Sequence, residues 1–227
     1  DDARHRICFF DSKGLVVQGR RNLNNKKKLY AHNIIGETSL GNVIERDKSS
    51  ILIGVSGKPN AFDKSIIQKM AKVNNRPIIF ALSNPTSKSE CTAEQVYSWT
   101  DGRAIFASGS PFKPVSWKRK TFYPGQGNNA YIFPGVGLGI VVSKALYVTD
   151  EMFIVAAETL SDMVTKDDME RGQLYPSLTK IRDISLKIAV NVANVAFNTK
   201  ISSIPKPNNL EKYVKCSMFE PTYRNYV

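Results

Sequence analysis

Asn128 and Asn129 stand side by side in PGQGNNAYIFPGVGLG, Pro124 to Gly139, between a glycine-rich approach and an apolar run that holds Pro134. Side-chain amides donate hydrogen bonds without giving up a proton, so such a pair suits the holding of a carboxylate or phosphate. If NNAYIF opens a helix, the amides lie at its positive end, where backbone N–H groups add to the same attraction. One of the two can equally serve as a helix cap, with Pro134 tolerated early in the helix or kinking it. A third amide, Asn84 in SNPT, and an acid, Asp11 in DSKG, complete the candidates. Asn84 reads either as a turn opener before Pro85 or as a neutral donor and acceptor for a ligand. Asp11 reads either as a solvated turn residue or as an acceptor for the hydroxyls of an adenosine ribose.

These residues need elements to position them. Four apolar runs read as strands, each closing on turn-forming residues: ICFF (7–10) before DSKG, ILIGV (51–55) before SGKP, PIIFAL (77–82) before SNPT and AIFA (104–107) before SGSP. Helical spacing fills the intervals at 62–73 and 92–99, so strand and helix alternate. Near-continuous apolar strands are what a parallel sheet covered on both faces requires, and their alternation with helices predicts an α/β, Rossmann-like, doubly wound, mostly parallel sheet. Ligands of such sheets sit at the carboxyl ends of the strands, where Asp11 and Asn84 fall. No strand with a G-x-G-x-x-G turn precedes Asp11, so the sheet is expected to be incomplete at its amino-terminal side. Later the chain turns helical. Thr149 caps a helix running to about Val164, TKDD at 165–168 has capping-box spacing, and Leu178, Ile181, Ile184, Ile188, Val192 and Val195 share one face of a helix after Pro176. The proline-rich end reads as an extended tail over the surface or onto another subunit. The expected organisation is therefore a partial dinucleotide-binding domain over 1–148, helices over 149–198 and the tail over 199–227.

Composition narrows the class. Of the 227 residues 42% are hydrophobic, enough for a real core, while the longest apolar runs fall short of the roughly 18 to 20 residues needed to span a bilayer. No membrane association is expected. The three widely spaced cysteines form no metal motif and suit reduced thiols of an intracellular protein, cytoplasmic or mitochondrial. The net charge of +12 is scattered, with only KKK at 26–28 and KRK at 118–120 clustered and no basic-aromatic interleaving, which argues against nucleic acid.

In order and spacing, DSKGLVVQGR, GVSGKPNAF, RPIIFALSNPTSKSECTAEQVYSWTDGRAIFASGSPF, PGQGNNAYIFPGVGLG and QLYPSLTKIRDISLKIAVNVA resemble malic enzyme, the oxidative decarboxylase of malate. The resemblance implies conversion of (S)-malate to pyruvate and CO2 with reduction of NADP or NAD, aided by Mg2+ or Mn2+, in a homo-oligomer, dimer or tetramer. It places Asn84, Asn128 and Asn129 in the malate and nicotinamide region, Asp11 on the ribose side, and the turn from Gly54 to Gly57, with Val55 and Gly57, along the cofactor cleft. Ser12 after Asp11, and Lys27 in register with a phosphate-binding lysine of NADP-using members, favour NADP. The family's proton-transferring tyrosine and lysine and its metal-binding carboxylates have no counterpart here. No catalytic or metal-binding residue is therefore assigned to the chain, which reads as a carboxyl-terminal fragment, inactive alone. The alternative is a non-catalytic dinucleotide-fold module that binds an anionic metabolite or a partner protein.

Overall fold

The structure, a computed structural model, describes residues 2–222. The chain divides into two compact units, 1–127 and 128–227.

The first unit opens with helix α1 (Asp2–His5), strands β1 (Phe10–Asp11) and β2 (Gly14–Leu15), and helices α2 (Asn25–Lys28) and α3 (Leu40–Asp47). Strand β3 (Ile51–Gly54), helix α4 (Lys64–Val73), strand β4 (Ile78–Ala81), helix α5 (Ala93–Trp99) and strand β5 (Ile105–Ser108) then alternate. A hairpin of β6 (Val115–Trp117) and β7 (Lys120–Phe122) precedes the short β8 (Gly125–Gln126). Strands β3, β4, β5 and β8 form one wholly parallel sheet in that order. This is the expected Rossmann-like sheet with flanking helices.

Its register matters for function. Gly54 pairs with Ala81, Ala81 with Ser108 and Ser108 with Gln126, so all four strands end level and their following loops leave one edge together. On one face Leu52, Ile79, Ala81 and Phe106 join Ile67 and Met70 of α4 and Val96 and Tyr97 of α5 in a dry core. On the other face Ile51 and Ile53 of the edge strand β3 stay about half exposed, at 51% and 54%. The helices begin where their caps stand: Asp63 accepts from Ile66 N, and Thr92 and Gln95 form a reciprocal capping box.

Three expectations need correction. The run ICFF is not a strand of the parallel sheet; only its last residue, Phe10, is in a strand, and β1 pairs antiparallel with β2 in a separate hairpin. The turn dictates this, because Gly14 at φ +95° reverses the chain and Leu15 N–H then donates to Glu37 O at 2.8 Å. The tail is not wholly extended either. Asn209 accepts from Lys212 N, and α10 (Leu210–Ser217) follows, burying Leu210 and Val214 on one face. Third, the helix expected at NNAYIF begins as a single 3-10 turn, Asn129–Tyr131, before α-helix geometry sets in at Phe133.

In the second unit that turn leads into α6 (Phe133–Ser143), followed by α7 (Asp150–Asp162), α8 (Lys166–Glu170), α9 (Ile181–Asn198) and α10. The glycines of PGVGLG serve packing. A Cβ on Gly135 would lie 2.6 Å from Ile188 Cβ, and one on Gly139 2.7 Å from Ala189 O and 2.8 Å from Val192 Cβ. Four residues apart on one helical face, they let α6 and α9 approach closely. Thr149 and Thr165 cap α7 and α8 as their spacing predicts. Among the described residues no helix is long and apolar enough to cross a membrane.

Candidate functional site

Asp11 is the most heavily partnered of the predicted site residues. Its carboxylate accepts from Lys13 N–H at 2.9 Å, from Arg20 Nη2 on both of its oxygens at 2.9 and 3.1 Å, and from the Lys27 ammonium. The β1–β2 hairpin presents the acid. Arg20 is held by the carbonyls of Gly14 and Leu15, and Lys27 rises from α2, whose start Asn24 caps. The Lys27 hydrogen bond, with those of Lys13 N–H and Arg20, outweighs desolvation and holds Asp11 down at about 2. Two cations against one carboxylate leave the cluster at net +1. Such a cluster can take ribose hydroxyls on the acid and still attract a phosphate. Ser12 is exposed in the turn beside it.

Val55 and Gly57 lie just past β3. Val55 is 75% exposed, and Gly57, at φ +65°, donates its N–H to Ser83 Oγ at 2.8 Å. Ser83 and Asn84 follow β4. Asn84 is exposed, forms a cis peptide bond with Pro85, and accepts the Ser110 hydroxyl hydrogen on its Oδ1 at 2.6 Å. With one lone pair of Oδ1 engaged from the loop after β5, the amide nitrogen and the second lone pair of Asn84 are left to address a ligand. The level strand ends thus bring the loops of Val55, Gly57 and Asn84 out on one edge.

Asn128 and Asn129 open the second unit and are both exposed. Asn128 acts as a cap: its Oδ1 accepts from Ala130 N–H at 2.8 Å. Asn129 is the first residue of the turn so capped.

The other basic cluster has a structural explanation. In KRK 118–120, Lys118 and Arg119 form the turn of the β6–β7 hairpin and Lys120 opens β7, with Lys118 at φ +55° paired to Asp101 at 2.7 Å. Among the described residues no group of three or more His, Cys, Asp or Glu side chains converges to hold a metal ion. The Asp11 cluster has the donors and acceptors that a dinucleotide needs, and no converging set of metal ligands accompanies it among the described residues. Sequence reasoning missed Arg20, because nothing in VQGR marks its reach back to residue 11. It also missed Glu90, a lone acid between strand and helix in SKSECTAE, whose position was the only signal.

A Rossmann-like parallel sheet with polar loops leaving one edge, and an acid and two cations clustered on a hairpin, is a dinucleotide-binding architecture. Comparison with known proteins specifies it. The family described as "Malic enzyme, NAD binding domain" matches residues 1–197, and the chain belongs to that family. It is 49% identical over 228 residues to an NADP-dependent malic enzyme of Vitis vinifera, covering 100% of this chain and 39% of the relative. It is 47% identical over 228 residues to a chloroplastic NADP-dependent malic enzyme of Oryza sativa subsp. japonica, again over 100% of this chain and 36% of the relative. The chain thus spans about two-fifths of the length of the curated relatives it matches. A crystal structure of Entamoeba histolytica malic enzyme shares the fold, with a TM-score of 0.73 over 92% of this chain and 40% of that one, at 22% identity.

Proposed function

We propose that this chain is the cofactor-binding part of a malic enzyme that oxidatively decarboxylates (S)-malate to pyruvate and CO2 and prefers NADP to NAD. The observation that carries the reading is the Asp11, Arg20 and Lys27 cluster with its net +1 charge. An unphosphorylated ribose asks only for the acid; a 2'-phosphate asks for the surplus cation. The relatives named above are NADP-dependent by name, which supports the same choice.

In this reading Asp11 receives the adenosine ribose and Ser12 and Lys27 its 2'-phosphate, while Val55 and Gly57 line the path of the cofactor. Asn84 offers its amide nitrogen to the nicotinamide or to malate. Asn128 and Asn129 donate to malate, and their neutrality holds a carboxylate without exchanging a proton with it. A bound dinucleotide would supply the hydride acceptor for malate oxidation. Mg2+ or Mn2+, and the residues that move protons, are assigned to parts of the protein other than the residues described. Residues 1–148 carry most of the proposed contacts, and the protein is taken to be an intracellular homo-oligomer, dimer or tetramer.

The test is a steady-state assay of the full-length protein with malate, divalent metal and either dinucleotide. Malate-dependent reduction with kcat/KM higher for NADP than for NAD is expected. Reduction of neither dinucleotide, or a preference for NAD, overturns the reading.

A further inference from the structure

Glu90 lies between β4 and α5, is 0% exposed, and has no place among the ligand-facing residues above. Its Oε1 accepts from Ser56 N–H at 2.9 Å, from the Ser56 hydroxyl at 3.0 Å and from the Ser83 hydroxyl; its Oε2 takes Ser83 N–H at 3.4 Å. Ser83 Oγ in turn accepts the Gly57 N–H. The main chain repeats the stitch. Phe62 N–H donates to Glu90 O at 3.0 Å and Asn60 N–H to Ser89 O at 3.2 Å. The carboxyl group fits only because residue 54 has no side chain: a Cβ there would lie 2.6 Å from Glu90 Cδ.

Among the described residues no lysine or arginine pairs with Glu90. Burial pushes its carboxyl up, but the Ser83 and Ser56 hydrogen bonds more than offset this and hold it below its ordinary range. A buried carboxylate without a cation is tolerated only while its hydrogen-bond donors stay in place. Those donors are supplied by the loop after β3 and the loop after β4. The charge therefore locks the two loops to each other, and neither can shift without stranding it.

Building on the dinucleotide-binding reading, we propose that Glu90, acting through Ser56 and Ser83, is a positioning residue that sets Val55–Gly57 and Asn84 in the geometry that receives the dinucleotide. It touches no ligand itself. Its loss acts on the part of the cofactor common to NADP and NAD, unlike loss of Lys27, which addresses only the 2'-phosphate.

The experiment titrates the full-length protein with NADPH and with NADH by fluorescence, reading both Kd and the number of sites per chain. Glu90→Gln keeps the shape but turns an NH2 toward groups that are donors; a rise in Kd of about tenfold is expected, equal for the two dinucleotides, with the number of sites unchanged. Ser83→Ala removes one donor to Glu90 and the acceptor of Gly57 N–H, and a smaller, again equal, rise is expected. Lys27→Gln raises the NADPH value alone. Unchanged Kd in both Glu90→Gln and Ser83→Ala overturns the proposal, as does loss of sites at constant Kd, which is the mark of a residue needed only for folding. Should Glu90→Gln fail to fold by circular dichroism, Ser83→Ala decides. Failure of the unaltered protein to bind either dinucleotide would instead refute the dinucleotide reading and take this proposal with it.

Discussion

Removing the Lys27 charge should separate NADP from NAD. In Lys27→Gln the Asp11, Arg20 and Lys27 cluster falls from net +1 to zero, while the acid that would meet the ribose keeps Arg20 and Lys13 N–H. Two opposite charges about 4 Å apart attract by about 4 kcal/mol at the effective dielectric of a protein surface. Two things reduce that figure here. The Lys27 side chain is 36% exposed, and its ammonium already pairs with Asp11, so a phosphate gains only a share of it. A loss of about 1 to 2 kcal/mol follows, or roughly a 5- to 30-fold rise in the Michaelis constant for NADP. NAD has no phosphate at that place, so its constant should hold within about twofold. The effect should shrink as salt is raised, because the contact is partly open to solvent. Steady-state kinetics of the full-length protein with both dinucleotides, at low and high salt, measure it, with the exposed neighbour Lys28→Gln as control. Equal losses for NADP and NAD would mean that the loop had been disrupted, and no loss, or a loss in Lys28→Gln instead, would refute the assignment of the phosphate to Lys27.

The pH behaviour of Asp11 follows from the same contacts. Its folded value, about 2, lies below the ordinary carboxylate range, so its contribution to stability is whole above about pH 4 and is lost as pH falls towards 2. A carbon-13 titration of the carboxyl should give a midpoint near 2 that rises in Lys27→Gln; a midpoint near 4 in the unaltered protein would contradict the cluster. Gly139→Ala should destabilise by about 1 to 3 kcal/mol, because its Cβ meets Ala189 O and Val192, whereas Gly137→Ala meets nothing within 4 Å and should be neutral or stabilising by up to about 1 kcal/mol. Thermal melts compare the two, and equal effects would refute the close packing of α6 on α9. Asn129→Ala should weaken malate use by about 1 to 3 kcal/mol with little effect on stability, while Asn128→Ala should combine a similar loss with about 1 kcal/mol of lost capping. Malate kinetics with melting curves distinguish them, and unchanged kinetics in both would return the pair to a structural role.

What could be read from the sequence was set by local physics. The runs at 51–55, 77–82 and 104–107 became β3, β4 and β5 because unbroken apolar strands fit a parallel sheet, and Thr149 and Thr165 marked helix starts through caps that need only their own next turn. ICFF misled because an apolar run does not reveal its pairing partner, which the DSKG turn places on its own chain. Helix α10 was hidden among prolines, since only Leu210 and Val214 carry its buried face. The same divide holds for the site. Asn84 was visible from its place after a strand. The partners that orient it and its neighbours were not: Arg20 reaches back nine residues, and Glu90 joins residues 34 and 7 positions away. No period or motif encodes those reaches.

Amide hydrogen exchange of the full-length protein, with and without NADPH, reads segment by segment which loops hold the dinucleotide. NADPH is expected to slow exchange in the Asp11 to Lys13 turn, in α2 around Lys27, and in the loops after β3 and β4 at 55–58 and 82–86, and NADH to protect all of these but α2. Protection confined to other segments of the chain, or none within it, would contradict the claim that these loops hold the dinucleotide.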